Sequence, residues 1–229
     1  MEKKKISISD KYIWASINDY RGDYRQIKFF EMNEKNQILD MMSEINEDDT
    51  VLDIGANVGI YSLFAEQIAS DVIAIEPHPV NISRLVVNSR LNDSNIRIFQ
   101  CALSDSQGYI GLGINPESER VDGTASLKDF SPTSVTEQIN VRIESGDQFI
   151  DQNNISTPNI VKIDVQGAEK KVINGFQSMF SGKSCRIVYC ELHGDHVDTK
   201  EIKQEFESMG FSVETLGRET DTLKAVKPD

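Results

Sequence analysis

Val51-Leu52-Asp53-Ile54-Gly55-Ala56-Asn57-Val58-Gly59 passes from an apolar run into a loop with two glycines. Val51 to Ile54 has the length and character of a buried strand, and Ile60, Leu63, Phe64 and Ile68 place one apolar stripe on the helix that follows. Glycine lets a backbone turn tightly and approach a ligand, so strand, glycine loop and helix in this order form a binding unit. The dinucleotide fingerprint G-x-G-x-x-G is not met, because Asn57 stands at its second glycine and Ile60 at its third. A pyrophosphate cradle is therefore disfavoured, and an NAD-type oxidoreductase is the weaker enzyme reading.

On the C-terminal side, Val72 to Glu76 reads as a second strand, broken by Pro77 and Pro79. A helix with Val80, Leu85, Val86 and Leu91 then leads to a third strand over Ile96 to Cys101. Residues 105–158 interrupt this alternation with Ile110, Leu112 and Ile114 and then Ile139, Val141 and Ile143, whose period of two predicts a small antiparallel insertion. The parallel pattern resumes with Ile160 to Asp164, a helix bearing Val172, Ile173, Phe176 and Phe180, and a strand from Arg186 to Glu191. A last helix with Ile202, Phe206 and Met209 stops at Gly210, and Phe211 to Leu216 and Leu223 to Val226 follow as an antiparallel pair. Before the first parallel strand, a strand around Tyr12 to Ile17 and a helix with Ile38, Leu39, Met42 and Ile45 suggest an added layer.

Strands alternating with helices predict an α/β, Rossmann-like, doubly wound sheet. The expected organisation is one domain: an N-terminal layer at 1–49, a core at 50–104 and 159–229, and the insertion at 105–158. The 229 residues carry 24 Lys plus Arg against 37 Asp plus Glu, a net charge of −13 that disfavours general binding to nucleic acid or anionic membrane. Lys3 to Lys5 reads as a short solvated tail. No apolar stretch approaches the roughly 20 residues of a membrane span, and the N-terminus lacks a signal-peptide core. Cys101, Cys185 and Cys190 form no Cys-x-x-Cys pair and read as core residues, so a cytoplasmic location is expected.

Glu76 lies 21 residues after Gly55, where a strand-end carboxylate can accept both hydroxyl protons of a ribose. Asp53-Ile-Gly-Ala-Asn-Val-Gly59 together with Ile75-Glu76-Pro77 resembles the cofactor site of class I methyltransferases that use S-adenosylmethionine. Cys101-Ala-Leu-Ser-Asp105, Gly123-Thr-Ala-Ser-Leu127 and Lys162-Ile-Asp-Val-Gln-Gly-Ala-Glu169 extend the resemblance to the FkbM-type family, over roughly residues 50 to 195. The last block often carries Glu where this chain has Gln166. The resemblance implies a seven-stranded, mostly parallel methyltransferase sheet whose last strand is antiparallel. It also implies that Asp53 orders the loop and approaches the methionine amino group, that Gly55, Ala56, Asn57 and Gly59 line methionine and ribose, that Glu76 holds the ribose, and that Ala102 lies near the adenine.

In the strand order 3-2-1-4-5 of that fold, the crevice opens between the first and fourth strands, so Asp164 would face the glycine loop. A hydroxyl acceptor must lose its proton, and Asp164, Glu169, Glu191 and His193 are the candidate bases, Asp164 foremost and His193 and Glu191 next. Glu169 reads as a first-turn carboxylate favoured by the helix dipole, and His78 as a solvated turn residue. Glu191-Leu-His-Gly-Asp-His196 holds four potential ligands, yet His-x-x-His in a glycine-containing loop is not a zinc spacing, and no metal is expected. The inserted strands and Gly123 to Leu127 could line the acceptor pocket. The expected activity is S-adenosylmethionine-dependent O-methylation of a small-molecule or glycan hydroxyl, with a non-catalytic adenosylmethionine-binding protein as a further alternative and homo-oligomerisation left open.

Overall fold

The computed structural model describes residues 2–17, 30, 34–114, 126–127, 137–193, 198–216 and 222–228. A hairpin of β1 (Glu2–Ile8) and β2 (Lys11–Ile17) and helix α1 (Lys35–Glu44) precede the core. The core begins with β3 (Thr50–Ile54), α2 (Ile60–Ala65), β4 (Asp71–Ile75), α3 (Pro79–Leu91) and β5 (Arg97–Phe99). An excursion through β6 (Ala102–Ser104), β7 (Gly108–Ile114), β8 (Ser126–Leu127) and β9 (Glu137–Ser145) follows. The chain returns through α4 (Gly146–Gln152), β10 (Ile160–Ile163), α5 (Glu169–Gly175), α6 (Gln177–Ser181) and β11 (Ile187–Glu191). It ends with α7 (Thr199–Ser208), β12 (Ser212–Leu216) and β13 (Thr222–Val226).

The central sheet has seven strands in the order β12-β13-β11-β10-β3-β4-β5. The five from β5 to β11 are parallel, and β13 runs antiparallel to both β11 and β12, as the sequence pattern predicts. Both faces are covered, which is why β3 and β10 are buried along their whole lengths. Leu52, Ile54, Val161 and Ile163 face a core with Phe149, Phe176, Phe180 and Phe206. Val51 and Ile160 face the opposite core, built with Ile38, Phe64, Leu85 and the hairpin residues Ile6, Ile8 and Ile13. Sequential strand order reverses between β3 and β10, where Lys162 is registered against Asp53.

Three local readings are corrected. Lys3 to Lys5 is no tail, because β1 pairs with β2, Ile6 and Ile8 are buried, and Lys3 and Lys5 lie over the rings of Trp14 and Tyr12. His78 is only 3% exposed; its Nδ1 accepts from the Val80 N–H and caps α3, so the flanking prolines frame a helix start and not a solvated turn. The excursion closes at Ser145, and α4 sends Phe149 and Ile150 into the main core, so 146–158 packs as core and not as insertion. Strands β7 and β9 pair antiparallel as expected, in a small sheet ordered β6-β9-β7-β8. Of Gly123 to Leu127 only the last two positions lie within the described residues, and His196 lies outside them. The three cysteines are buried and free. No helix among the described residues is long and apolar enough to cross a membrane.

Candidate active site

The turn after β3 is shaped by two close approaches. Gly55 has φ +81°, and a Cβ there would stand 1.8 Å from the Asp164 carbonyl oxygen, so only glycine lets the ends of β3 and β10 meet. Its N–H and that of Ala56 both donate to the Ile75 carbonyl at 2.9 Å, tying the loop to the end of β4. Asn57 takes the left-handed conformation at φ 53°, which asparagine tolerates better than most residues, and its N–H donates to Glu76 Oε2 at 2.8 Å. Glu76 Oε1 accepts from the His78 N–H at 2.8 Å and from the Asn81 amide at 3.4 Å. Burial outweighs these hydrogen bonds and pushes the Glu76 carboxyl up to about 7.

Gly55, Asn57, Glu76, Ala102 and Asp164 line one open cleft, with Leu112 of β7 on its wall. Asp53, Ala56 and Gly59 do not line it. Asp53 is buried on the opposite side of the strand, where Oδ2 accepts from the Ser62 hydroxyl at 2.6 Å and Oδ1 lies 3.5 Å from Lys162 Nζ. Asp53 thus makes an internal ion pair and stands off the cleft in which a methionine amino group is expected. Gly59 caps α2 at φ +86° with Leu85 against it, supporting the loop from behind.

Lys162 escaped the reading of the sequence. It is 2% exposed, and its ammonium lies 3.3 Å from Asp164 Oδ2 and 4.7 Å above the Tyr61 ring. Burial works against its charge, but Asp164 and Asp53 more than compensate and hold it protonated above the usual lysine range. Reciprocally, Asp164 suffers desolvation, yet Lys162, His193 and the Gln166 amide keep it ionised below the usual carboxylate range. Gln166 Nε2 donates to Asp164 Oδ1 at 3.1 Å, a donation that a glutamate in its place would not make. Glu34, before α1, faces the same group; burial and the nearby carboxylates lift it to about 8 against the pull of Lys162.

Asp164, Glu191 and His193, expected to be catalytic, are brought together by the ends of β10 and β11. His193 Nε2 lies 3.4 Å from Glu191 Oε1 and 3.7 Å from Asp164 Oδ1. One ligand atom from each of the three falls within 4.8 Å of the others, near enough to share a cation. Lys162 already supplies positive charge to Asp164, and we read the group as an ion-pair cluster. Glu169 is not merely a helix-end acid: it is fully buried and lies 3.2 Å from His193 Nδ1.

Comparison with known proteins adds five findings. The chain is 28% identical over 211 residues to the hexuronic acid methyltransferase AglP of Haloferax volcanii, covering 91% of this chain and 78% of that protein. It is 26% identical over 196 residues to the 31-O-demethyl-FK506 methyltransferase FkbM of Streptomyces tacrolimicus, covering 74% and 75%. A methyltransferase FkbM structure from Methylobacillus flagellatus superposes with a TM-score of 0.57 at 16% identity, over 80% of this chain and 44% of that one, so this chain spans less than half of that structure's length. A SAM-dependent methyltransferase from Agrobacterium tumefaciens gives 0.53 at 12% identity, over 100% and 71%; both structures bear on the fold alone, the class I methyltransferase sheet. The model of the methyltransferase FkbM domain matches residues 53–213, more than half of the chain, and the chain belongs to that family of methyltransferases.

Proposed function

We propose that the chain transfers the methyl group of S-adenosylmethionine to a hydroxyl oxygen of a sugar or a sugar-like small molecule. The observation that carries this reading is the continuity of one cleft from Glu76 through Gly55 to Asp164, with Glu191 and His193 beside its far end. Its residues fit the cofactor. Glu76 presents a buried carboxylate to a ribose diol, and Asn57 Oδ1 is buried on the wall without a hydrogen-bond partner. When bound, S-adenosylmethionine supplies an electrophilic methyl on a cationic sulfonium, which suits an acidic cleft. Asp164, held ionised, accepts the hydrogen bond of the acceptor hydroxyl and aims its oxygen, so alignment supplies much of the rate.

AglP is named for a hexuronic acid and the FkbM relative for an O-demethyl compound, which supports an oxygen acceptor of sugar-like character. Between hydroxyl and carboxylate, the carboxylates of Asp164 and Glu191 favour the neutral hydroxyl by charge. Incubation with methyl-labelled donor and a panel of glucose, galactose, mannose, glucuronic acid and their methyl glycosides should give a product whose label survives mild base, as an ether does. A base-labile label would mark a methyl ester and overturn the hydroxyl assignment. Three buried free cysteines suit a reducing compartment, and we place the chain in the cytoplasm.

Donor affinity should depend on pH. Ribose hydroxyls donate to ionised Glu76, so binding is complete above its pKa of about 7 and is lost as the group protonates below it. Between about pH 8 and about pH 6 the dissociation constant should rise about tenfold by calorimetry, and Glu76→Gln should flatten that dependence and weaken binding at the upper pH. A pH-independent affinity in the unaltered protein would remove Glu76 from the ribose.

A further inference from the structure

Glu169 opens α5 and is fully buried, a costly place for a carboxylate that has no partner. Its Oε1 accepts from the Gly167 N–H at 2.9 Å and lies 3.2 Å from His193 Nδ1. With the proton of Nδ1 directed to Glu169, the ring turns Nε2 toward the acceptor side, where the Gln166 amide stands 3.0 Å away and Glu191 and Asp164 stand beyond it. This is the geometry of a base and its orienting acid: one ring nitrogen is tied to a buried carboxylate, and in the neutral ring the other keeps a lone pair, shared with the Gln166 amide, that can take a proton. Asp164 is ill suited to keep a proton, because Lys162 and Gln166 both favour its ionised form.

Resting on the methyl-transfer reading above, we propose that His193 receives the acceptor hydroxyl's proton at Nε2, and that Glu169 is the positioning residue that fixes its tautomer and orientation. The step balances: the acceptor oxygen's lone pair forms the new C–O bond, the C–S pair remains on sulfur, and the O–H proton passes to Nε2. One positive charge leaves the sulfonium and one appears on the imidazole. The side chain of His193 is 26% exposed, which gives that proton a route to water. Asp164, Glu169 and Glu191 face the ring, with Lys162 and Glu34 behind Asp164. Burial alone would lower the imidazole pKa, but the bonds to Glu169 and Glu191 and the charge of Asp164 lift it to about 10. A cationic donor beside Asp164 pulls it back down.

The test combines NMR titration of labelled histidine in the full chain, with and without S-adenosylhomocysteine, and the pH profile of turnover on whichever panel sugar is methylated. At saturating donor, where the Glu76 dependence of donor binding drops out, turnover should rise with pH along one limb that follows the His193 titration. Glu169→Gln removes a negative neighbour, so it should move both the titration and the limb down by about one pH unit or more and lower the plateau at least about tenfold; Glu169→Asp should restore their position. His193→Gln should abolish the limb and reduce turnover about 10²–10⁴-fold, with donor affinity unchanged. A limb that survives His193→Gln, or that stays in place in Glu169→Gln, overturns the proposal. Because the NMR titration needs no turnover, a shifted His193 in a protein that methylates nothing would count against the methyl-transfer reading while leaving the role of Glu169 standing.

Discussion

Replacing Asp164 with Asn lowers turnover about a hundredfold and leaves donor affinity within about threefold of the original, the loss of a charge-assisted hydrogen bond of about 1.5–3 kcal/mol made to the reacting hydroxyl. Asparagine keeps the shape of the side chain and the backbone carbonyl that Gly55 approaches, so the cleft wall survives. What it removes is the negative charge that Lys162 and Gln166 hold in place 3.3 Å and 3.1 Å away. Glu76 and Asn57, at the ribose end of the cleft, are untouched, and binding of the donor should register little change. The pH limb assigned to His193 should persist, displaced slightly downward because one negative neighbour has gone. Calorimetry with the donor and initial rates across pH separate these effects. If donor binding falls as far as turnover does, Asp164 belongs to the cofactor and not to the acceptor. If the limb disappears, Asp164 is itself the proton acceptor.

The parts of this site legible in the sequence are those whose signal is local. A glycine loop after an apolar strand and an acid one strand later mark Gly55 and Glu76 without any knowledge of the fold, and Asp164 stands out as a carboxylate closing an apolar run. Lys162 sits inside that same run, Ile160-Val-Lys-Ile, and could have been noticed by the same argument. An alternating strand would send a lysine to solvent, but β10 is covered on both faces, so the lysine needs interior partners. Glu169 is half legible: it stands among the four candidate bases, but its position in a first helical turn offers a sufficient local explanation, while its partner lies 24 residues further on. Glu34 carries no pattern at all, since only the packing of the N-terminal layer brings it toward Lys162 and Glu191. The hairpin shows the opposite case: Lys3 to Lys5 reads locally as a tail, although Lys3 and Lys5 alternate with a strand face completed by Ile6 and Ile8.

Lys162→Met should be the most destabilising single change in the site. Methionine fills most of the lysine stem's volume, so the change removes a charge and leaves little cavity. Asp53 and Asp164 lose the cation they share at 3.5 Å and 3.3 Å, and a buried carboxylate deprived of its partner costs about 3–5 kcal/mol. The deficit should depend on pH with a definite sign. Asp164 is held below its ordinary pKa in the folded chain, so the stability it contributes is present above about 3.8 and is lost as pH falls through its folded value. In Lys162→Met that depression is gone, and acid relieves the uncompensated charge, so the gap between variant and original should narrow from about pH 7 to about pH 4 in urea unfolding. Adding Asp53→Asn removes the carboxylate registered directly opposite residue 162 and should recover about half of the loss, since deleting both members of a buried pair is far cheaper than deleting one. A gap that is constant with pH, or a double variant no more stable than the single one, would mean that Lys162 acts through packing against Tyr61 and not through its charge.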